Sequence, residues 1–167
     1  MRNAPLKLLL CDSVIVIESF RLNLWKSLVN RFVVHITPAI MDESQFFADA
    51  DLKKHYLDLR ELIRNKIILI ETPNIDEVQA VFRKAHELKL EIHLGEAQSL
   101  AVLGRSSINQ FFCTADRGAV IISHALNIMD RVLSLEKCLT GQRAVNLPDF
   151  LSEKFMHRWK AEAIQKV

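Results

Sequence analysis

Short apolar runs alternate along the chain with longer stretches whose apolar residues recur at helical spacing, the pattern of repeated strand–helix units. Strands are predicted over residues 6–11, 32–36, 67–70, 111–114 and 131–133. Helices are predicted over 14–28, 38–65 with an internal break, 75–88, 96–104, 117–127 and 147–164. Boundary residues support these spans. Thr37-Pro38 offers a helix cap followed by proline at the first helical position. Asn74 caps IDEVQAVFRKA, and Gly95 permits a sharp turn into the helix that begins at Glu96. No repeat, low-complexity tract or linker interrupts the pattern. The expectation is one α/β domain over 1–167, with 147–167 as a C-terminal helical extension.

Four acids occupy the strand-to-helix junctions or the first turns of helices. Asp12 closes LKLLLCD, Glu43 follows FVVHITPAIMD, Glu96 opens GEAQSLAVL and Asp116 ends FFCTAD. In an open α/β sheet the carboxyl ends of the strands converge on one crevice, where ligands bind. Ionised carboxylates gathered there repel one another, so a cluster of them calls for a cation. Oxygen donors of this kind suit Mg²⁺ or Mn²⁺, and thus metal-assisted phosphodiester chemistry. Each acid also has a simpler reading. Asp12 and Asp116 stand where an aspartate often serves only as a helix cap, and Glu96 is favoured by the helix dipole alone. On a helix running through Phe47, Glu43 sits at the edge of the apolar stripe while Asp42 faces water. Glu43 is therefore preferred over Asp42.

Composition narrows the picture. Half of the 167 residues are hydrophobic, enough for a sizeable core, and a net charge of +2 does not by itself announce a nucleic-acid binder. The N-terminal apolar run is interrupted by Asp12 and lacks a small-residue cleavage site, and no segment reaches the length of a membrane span. A cytoplasmic location without membrane attachment is expected. Cys11, Cys113 and Cys138 form no metal-ligand spacing and are read as reduced, buried hydrophobes. The phosphate loop, dinucleotide fingerprint and nucleophile elbow are all absent. The six histidines are scattered, and only His93 lies near the proposed site.

Taken in order, LLLCDS, ITPAIMDE, HLGEAQSLAVLG and CTADRGAV resemble the motif series of PIN-domain nucleases over roughly the first 140 residues. The resemblance implies a three-layer α/β/α fold with a mainly parallel central sheet of about five strands. It also implies one or two divalent metals held by Asp12, Glu43, Glu96 and Asp116, with Thr114 helping to orient the site. Ser13 and Arg117 are supporting candidates beside these, Arg117 as a phosphate contact or, more simply, as an exposed solvated arginine. Endonucleolytic cleavage of RNA follows, with single-stranded RNA favoured. Many stand-alone prokaryotic members are toxins neutralised by an antitoxin partner, and homodimers are frequent, so a dimer and an antitoxin are the implied protein partners. Two departures stand out. The family often continues its first aspartate as D-[TS]-N, whereas Val14 stands at the third position here, and the C-terminal stretch exceeds a minimal domain. The alternative is accordingly a catalytically inactive interaction protein of the same fold. Replacing Asp12 or Asp116 by asparagine is expected to abolish cleavage and spare the fold.

Overall fold

The computed structural model describes residues 6–106, 109–141 and 146–167. Along the chain, β1 (Lys7–Cys11) leads into α1 (Ser13–Arg21) and α2 (Trp25–Val29), then β2 (Phe32–Ile36) and α3 (Pro38–Glu43). A hairpin of β3 (Phe46–Ala48) and β4 (Lys54–Tyr56) precedes α4 (Leu59–Arg64), β5 (Ile68–Ile70), α5 (Ile75–Glu87) and α6 (Leu94–Arg105). The remainder comprises β6 (Gln110–Cys113), α7 (Arg117–Ala125), β7 (Val132–Leu133), α8 (Leu135–Cys138) and α9 (Glu153–Lys166).

Five strands form one sheet in the order β5-β2-β1-β6-β7, and every pairing within it is parallel. Parallel strands need crossover connections, and the helices that supply them cover both faces. Successive strand residues point to opposite faces, so each strand feeds two cores. Leu9, Cys11, Val34 and Ile36 pack with Ile15, Leu28 and Ile40 on one side. Leu10, Phe112 and Val132 pack with Val81, Leu100 and Ile122 on the other. The result is the expected three-layer α/β/α architecture with a parallel sheet of five strands.

Where the structure departs from the periodicity, local chemistry accounts for it. The helix expected over 14–28 is split at Asn23, whose φ of 58° is left-handed, a conformation asparagine tolerates. The span 38–65 is not one broken helix. Its middle is an antiparallel hairpin in which Phe46 faces Tyr56 and Phe47 stacks on His55 with ring centroids 4.8 Å apart. Asp49 closes the turn by accepting hydrogen bonds from the Asp51 and Lys53 amides, both 3.0 Å. Phe47 therefore belongs to a strand, and the helical stripe that linked it to Ile40 does not exist. Helix α8 was not anticipated, because four residues are too few to show a period; Ser134 caps it by accepting from the Lys137 amide at 3.0 Å.

The C-terminal segment is built differently from the single helix expected over 147–164. A 3-10 turn, Asp149–Leu151, precedes α9, and Ser152 caps the latter. Leu151, expected at the head of the helical stripe, lies in that turn and is buried in the core on the α1 side of the sheet. Met156 and Ala163 are buried, Met156 in the core on the other side. Trp159 packs against that same core while meeting Phe155 edge to face, with centroids 5.7 Å apart. Arg117 of α7 pairs with Glu162 of α9, and the Glu153 amide donates to Glu136 Oε2 at 2.6 Å. All three cysteines are free and buried, and Cys11 and Cys113 stand opposite each other in register. Burial pushes both of those thiols well above the ordinary range. No helix among the described residues is long and apolar enough to cross a membrane.

Because Trp159 is packed on its own domain, its loss opens a gap in that packing. Trp159→Ala is expected to lower the unfolding free energy by about 2 kcal/mol in a denaturant titration. Light scattering should report the wild-type mass. A change of mass that precedes any loss of stability would instead mark Trp159 as an intermolecular contact.

Candidate functional site

The chain leaves the carboxyl ends of β1 and β6 in opposite directions. Helix α1, after β1, packs on one face of the sheet, and α7, after β6, packs on the other. Adjacent strands whose connections diverge in this way open a crevice between them, the usual ligand position in such sheets. A cleft of about 580 Å³ lies there, lined by Ser13, Val14, Glu43, His93, Glu96, Ala115 and Asp116.

Asp12 lies behind the wall of this cleft rather than on it. It is 1% exposed. Its Oδ1 accepts from the Ile15 amide at 2.8 Å, which caps α1, and its Oδ2 accepts from the Ala115 amide at 3.1 Å and from the Thr114 hydroxyl. Three protein donors occupy three of the four lone-pair sites of a carboxylate, leaving one on Oδ1. Burial raises the Asp12 carboxyl from 3.8 to about 7; the three hydrogen bonds oppose that rise and the Glu96 charge adds to it.

Glu96, at the third position of α6, is 6% exposed, and its Oε2 is buried with no hydrogen-bond partner among the described residues. Burial pushes this carboxyl above its ordinary range, and the charges of Asp116 and Glu43 push it further, while His93 draws it back. Glu96 is thus the electrostatic centre of the group, since Asp12, Asp116 and Glu43 all interact with it. Asp116 caps α7 through Oδ1, which accepts from the Ala119 amide at 2.6 Å, and its Oδ2 takes no hydrogen bond from the described residues. Its own amide donates to Thr114 Oγ1 at 3.0 Å. Glu43 ends α3 exposed and turned to the cleft, whereas Asp42 lines a separate hollow beside Tyr56 and Leu57.

The supporting residues divide. Ser13 lines the cleft and Thr114 orients Asp12 from behind it. Arg117 does not line the cleft; its guanidinium is held by Glu162, with Nε 2.7 Å from Oε2. Val14, where the PIN pattern often has asparagine, is 40% exposed and lines the cleft. His93, the one histidine expected near the site, is both the N-cap of α6 and part of the cleft wall.

Two glycines also belong to the site. Gly95 does not make a sharp turn: it lies inside α6 without a left-handed φ. Its missing side chain matters for space. A Cβ there would meet Ile40 Cδ1 at 2.4 Å and Glu43 Oε2 at 3.0 Å. Gly118, at the second position of α7, stands likewise against the Glu91 carbonyl at 3.0 Å and Asp116 Oδ1 at 3.1 Å. Glycine inside a helix is unfavourable by roughly 1 kcal/mol, a cost that the close approach at each position accounts for.

Among the described residues, no three His, Cys, Asp or Glu side chains converge into a ready-made metal cage. The chemistry of the donors fits a hard divalent cation that keeps several waters and needs only one or two carboxylates, which is how Mg²⁺ is commonly bound. The unpartnered Glu96 oxygen and the Asp116 Oδ2 are the atoms suited to it. No protein-family model matches this chain, and no curated protein or solved structure matches it either.

The raised carboxyls set the sign of a pH effect. The fold favours the protonated Asp12, so its contribution to stability is complete below the unfolded value of about 4 and is lost as pH rises through about 7. In chelator, the protein is expected to melt at a lower temperature at pH 8 than at pH 5, the Asp12 share amounting to a few kcal/mol. Asp12→Asn should flatten that slope in circular-dichroism melts; a slope that persists would assign it to another group.

Gly95→Ala tests the close approach of α3 and α6. Ile40 is fully buried and cannot swing aside, so overpacking is expected to cost about 1–3 kcal/mol in a denaturant titration. An unchanged midpoint would show that α3 yields freely.

Proposed function

We propose that the acidic cleft is the active site of a divalent-metal-dependent nuclease that cleaves single-stranded RNA endonucleolytically, as the resemblance to PIN-domain nucleases implies. The observation that supports it most strongly is Glu96, a buried carboxylate with one oxygen lacking any donor and like charges around it. A scaffold gains nothing from such an arrangement, because an unpaired buried charge is costly. A cation relieves it.

Glu96 and Asp116 are the residues that would hold Mg²⁺ or Mn²⁺, with Glu43 on the same cleft wall and Asp12 behind it. When bound, such an ion activates water and polarises the scissile phosphate. The chain's own groups do the rest. Asp12 is fixed by Thr114 and two amides, which hold its carboxyl in place behind the cleft; a bound cation would draw it to the charged form. Thr114 couples it to Asp116 by donating to the one and accepting from the amide of the other. Ser13 and His93 on the cleft wall are placed to contact the phosphate or its flanking oxygen atoms. An antitoxin and a second copy of the chain are the protein partners that the same resemblance suggests. The cytoplasm is the compartment in which such a nuclease meets its RNA.

A non-catalytic interaction role is the second reading, favoured by Val14, which brings an apolar side chain to the cleft wall. Metal titration separates the two, since a scaffold has no need of Mn²⁺.

The structure makes Asp116→Asn and Glu96→Gln cleaner tests than Asp12→Asn. Asparagine at 116 keeps the capping oxygen toward Ala119. At position 12 one amide group would confront the Ala115 N–H, a donor facing a donor. Both cleaner variants are expected to lose metal-dependent RNA cleavage by at least about a hundredfold. Mn²⁺ should stabilise the wild type saturably, by about 2.7 kcal/mol at ~100 times the dissociation constant and with a matching rise in melting temperature, and Glu96→Gln should lose most of that effect. Wild-type inactivity on single-stranded RNA, structured RNA and DNA, together with no Mn²⁺ binding, would establish the interaction role.

A further inference from the structure

The acidic cleft does not end at His93. A second hollow of about 460 Å³ opens there, lined by Phe82, Ala85, His86, Leu90, Ile92 and His93, with Glu91 as its carboxylate. His93 lines both spaces. Beyond Phe82 and His86 the surface dips again toward Arg83 and Glu87. The path therefore runs from the acids, past the start of α6, onto the outer end of α5.

We infer that this hollow is a subsite for the nucleotide flanking the scissile phosphate of a single-stranded RNA. The inference rests on reading the cleft as a nuclease site. Three observations carry it. First, Phe82 is 38% exposed on the wall of the hollow, and an exposed aromatic face is what an unpaired base stacks upon. Second, the groups beside it that can carry positive charge, His86 and His93 in the hollow and Arg83 just beyond, complement a phosphate backbone. The nearby Glu87 is already engaged by Lys84 at 2.5 Å, which reduces its repulsion toward an anion. Third, the hollow adjoins the cleft, since His93 lines both, so a strand whose phosphate lies among the acids can carry a flanking base toward Phe82. Leu90 and Ile92 supply the apolar floor on which a base loses little by leaving water. A double helix has its bases already stacked and cannot use this surface, which makes the subsite selective for unpaired RNA.

Phe82→Ala, Phe82→Trp and His86→Ala, made in the full chain, test the subsite. Binding of a fluorescein-labelled single-stranded RNA of mixed sequence is read by anisotropy in EDTA, and cleavage of the same RNA is read in Mn²⁺. Phe82→Ala is expected to weaken binding and raise KM about tenfold with kcat little changed, and Phe82→Trp to restore both. His86→Ala should reduce the salt dependence of binding. Melting temperatures check that all three variants are folded. If Phe82→Ala leaves RNA binding and KM unchanged while Glu96→Gln abolishes hydrolysis, the subsite is refuted and the nuclease reading stands. If Phe82 governs RNA binding but no phosphodiester is cleaved, the hollow stands only as a contact for single-stranded RNA and the nuclease reading falls.

Discussion

The carboxylate of Asp12, buried between the ends of the two middle strands, is the constraint around which this molecule is organised. Placing a charge there is costly, and three donors only partly offset the cost, as a carboxyl raised to about 7 shows. Those donors come from different elements. The Ile15 amide belongs to the first turn of α1, while Thr114 and the Ala115 amide follow β6. Thr114 then accepts from the Asp116 amide, and Asp116 in turn caps α7. One continuous line of hydrogen bonds thus starts two helices, joins two strands and sets two of the four acids.

Helix direction makes the acidic grouping tolerable. Helices α1, α6 and α7 all begin at the cleft, with Asp12, His93 and Asp116 at their N-caps. The partial positive charge of each N-terminus lowers the electrostatic cost of nearby carboxylates. Capping and ligand binding are therefore not competing explanations for Asp12 and Asp116. A cap uses one oxygen and fixes the side chain; the charge remains available to the cleft.

The central layer was legible because its signal is hydrophobic and long-range in consequence. Runs such as LKLLLC and FVVHI can only be strands buried on both faces, and the helices between them dictate parallel pairing. The convergence of Glu43, Glu96 and Asp116 on one cleft, with Asp12 behind it, follows from strand ends meeting at one edge. What escaped the sequence was decided by contacts across the fold. Phe46 and Phe47 read equally well on a helix; their cross-strand partners Tyr56 and His55 choose the hairpin. Gly95 looked like a turn residue because nothing nearby in sequence reveals that Ile40 will press against it. Arg117 offered itself to a phosphate until Glu162, from the far end of the chain, claimed it. His93 was legible only by its place three residues before Glu96, since a single cap residue has no periodicity to read.

The bond between Asp12 and Thr114 spans 102 positions. The central strand emerges first in synthesis, yet one of its two neighbours, β6, is made only after most of the chain. Contacts so distant in sequence slow folding, because the intervening chain must be ordered before they can form. A ribosome paused before residue 114 therefore carries a nascent chain with β1 unflanked on one side and Asp12 short of two donors. The acidic site is in this sense a timer: it is completed only once β6 and the first turn of α7 have left the exit tunnel, so chains stopped before them are born without it.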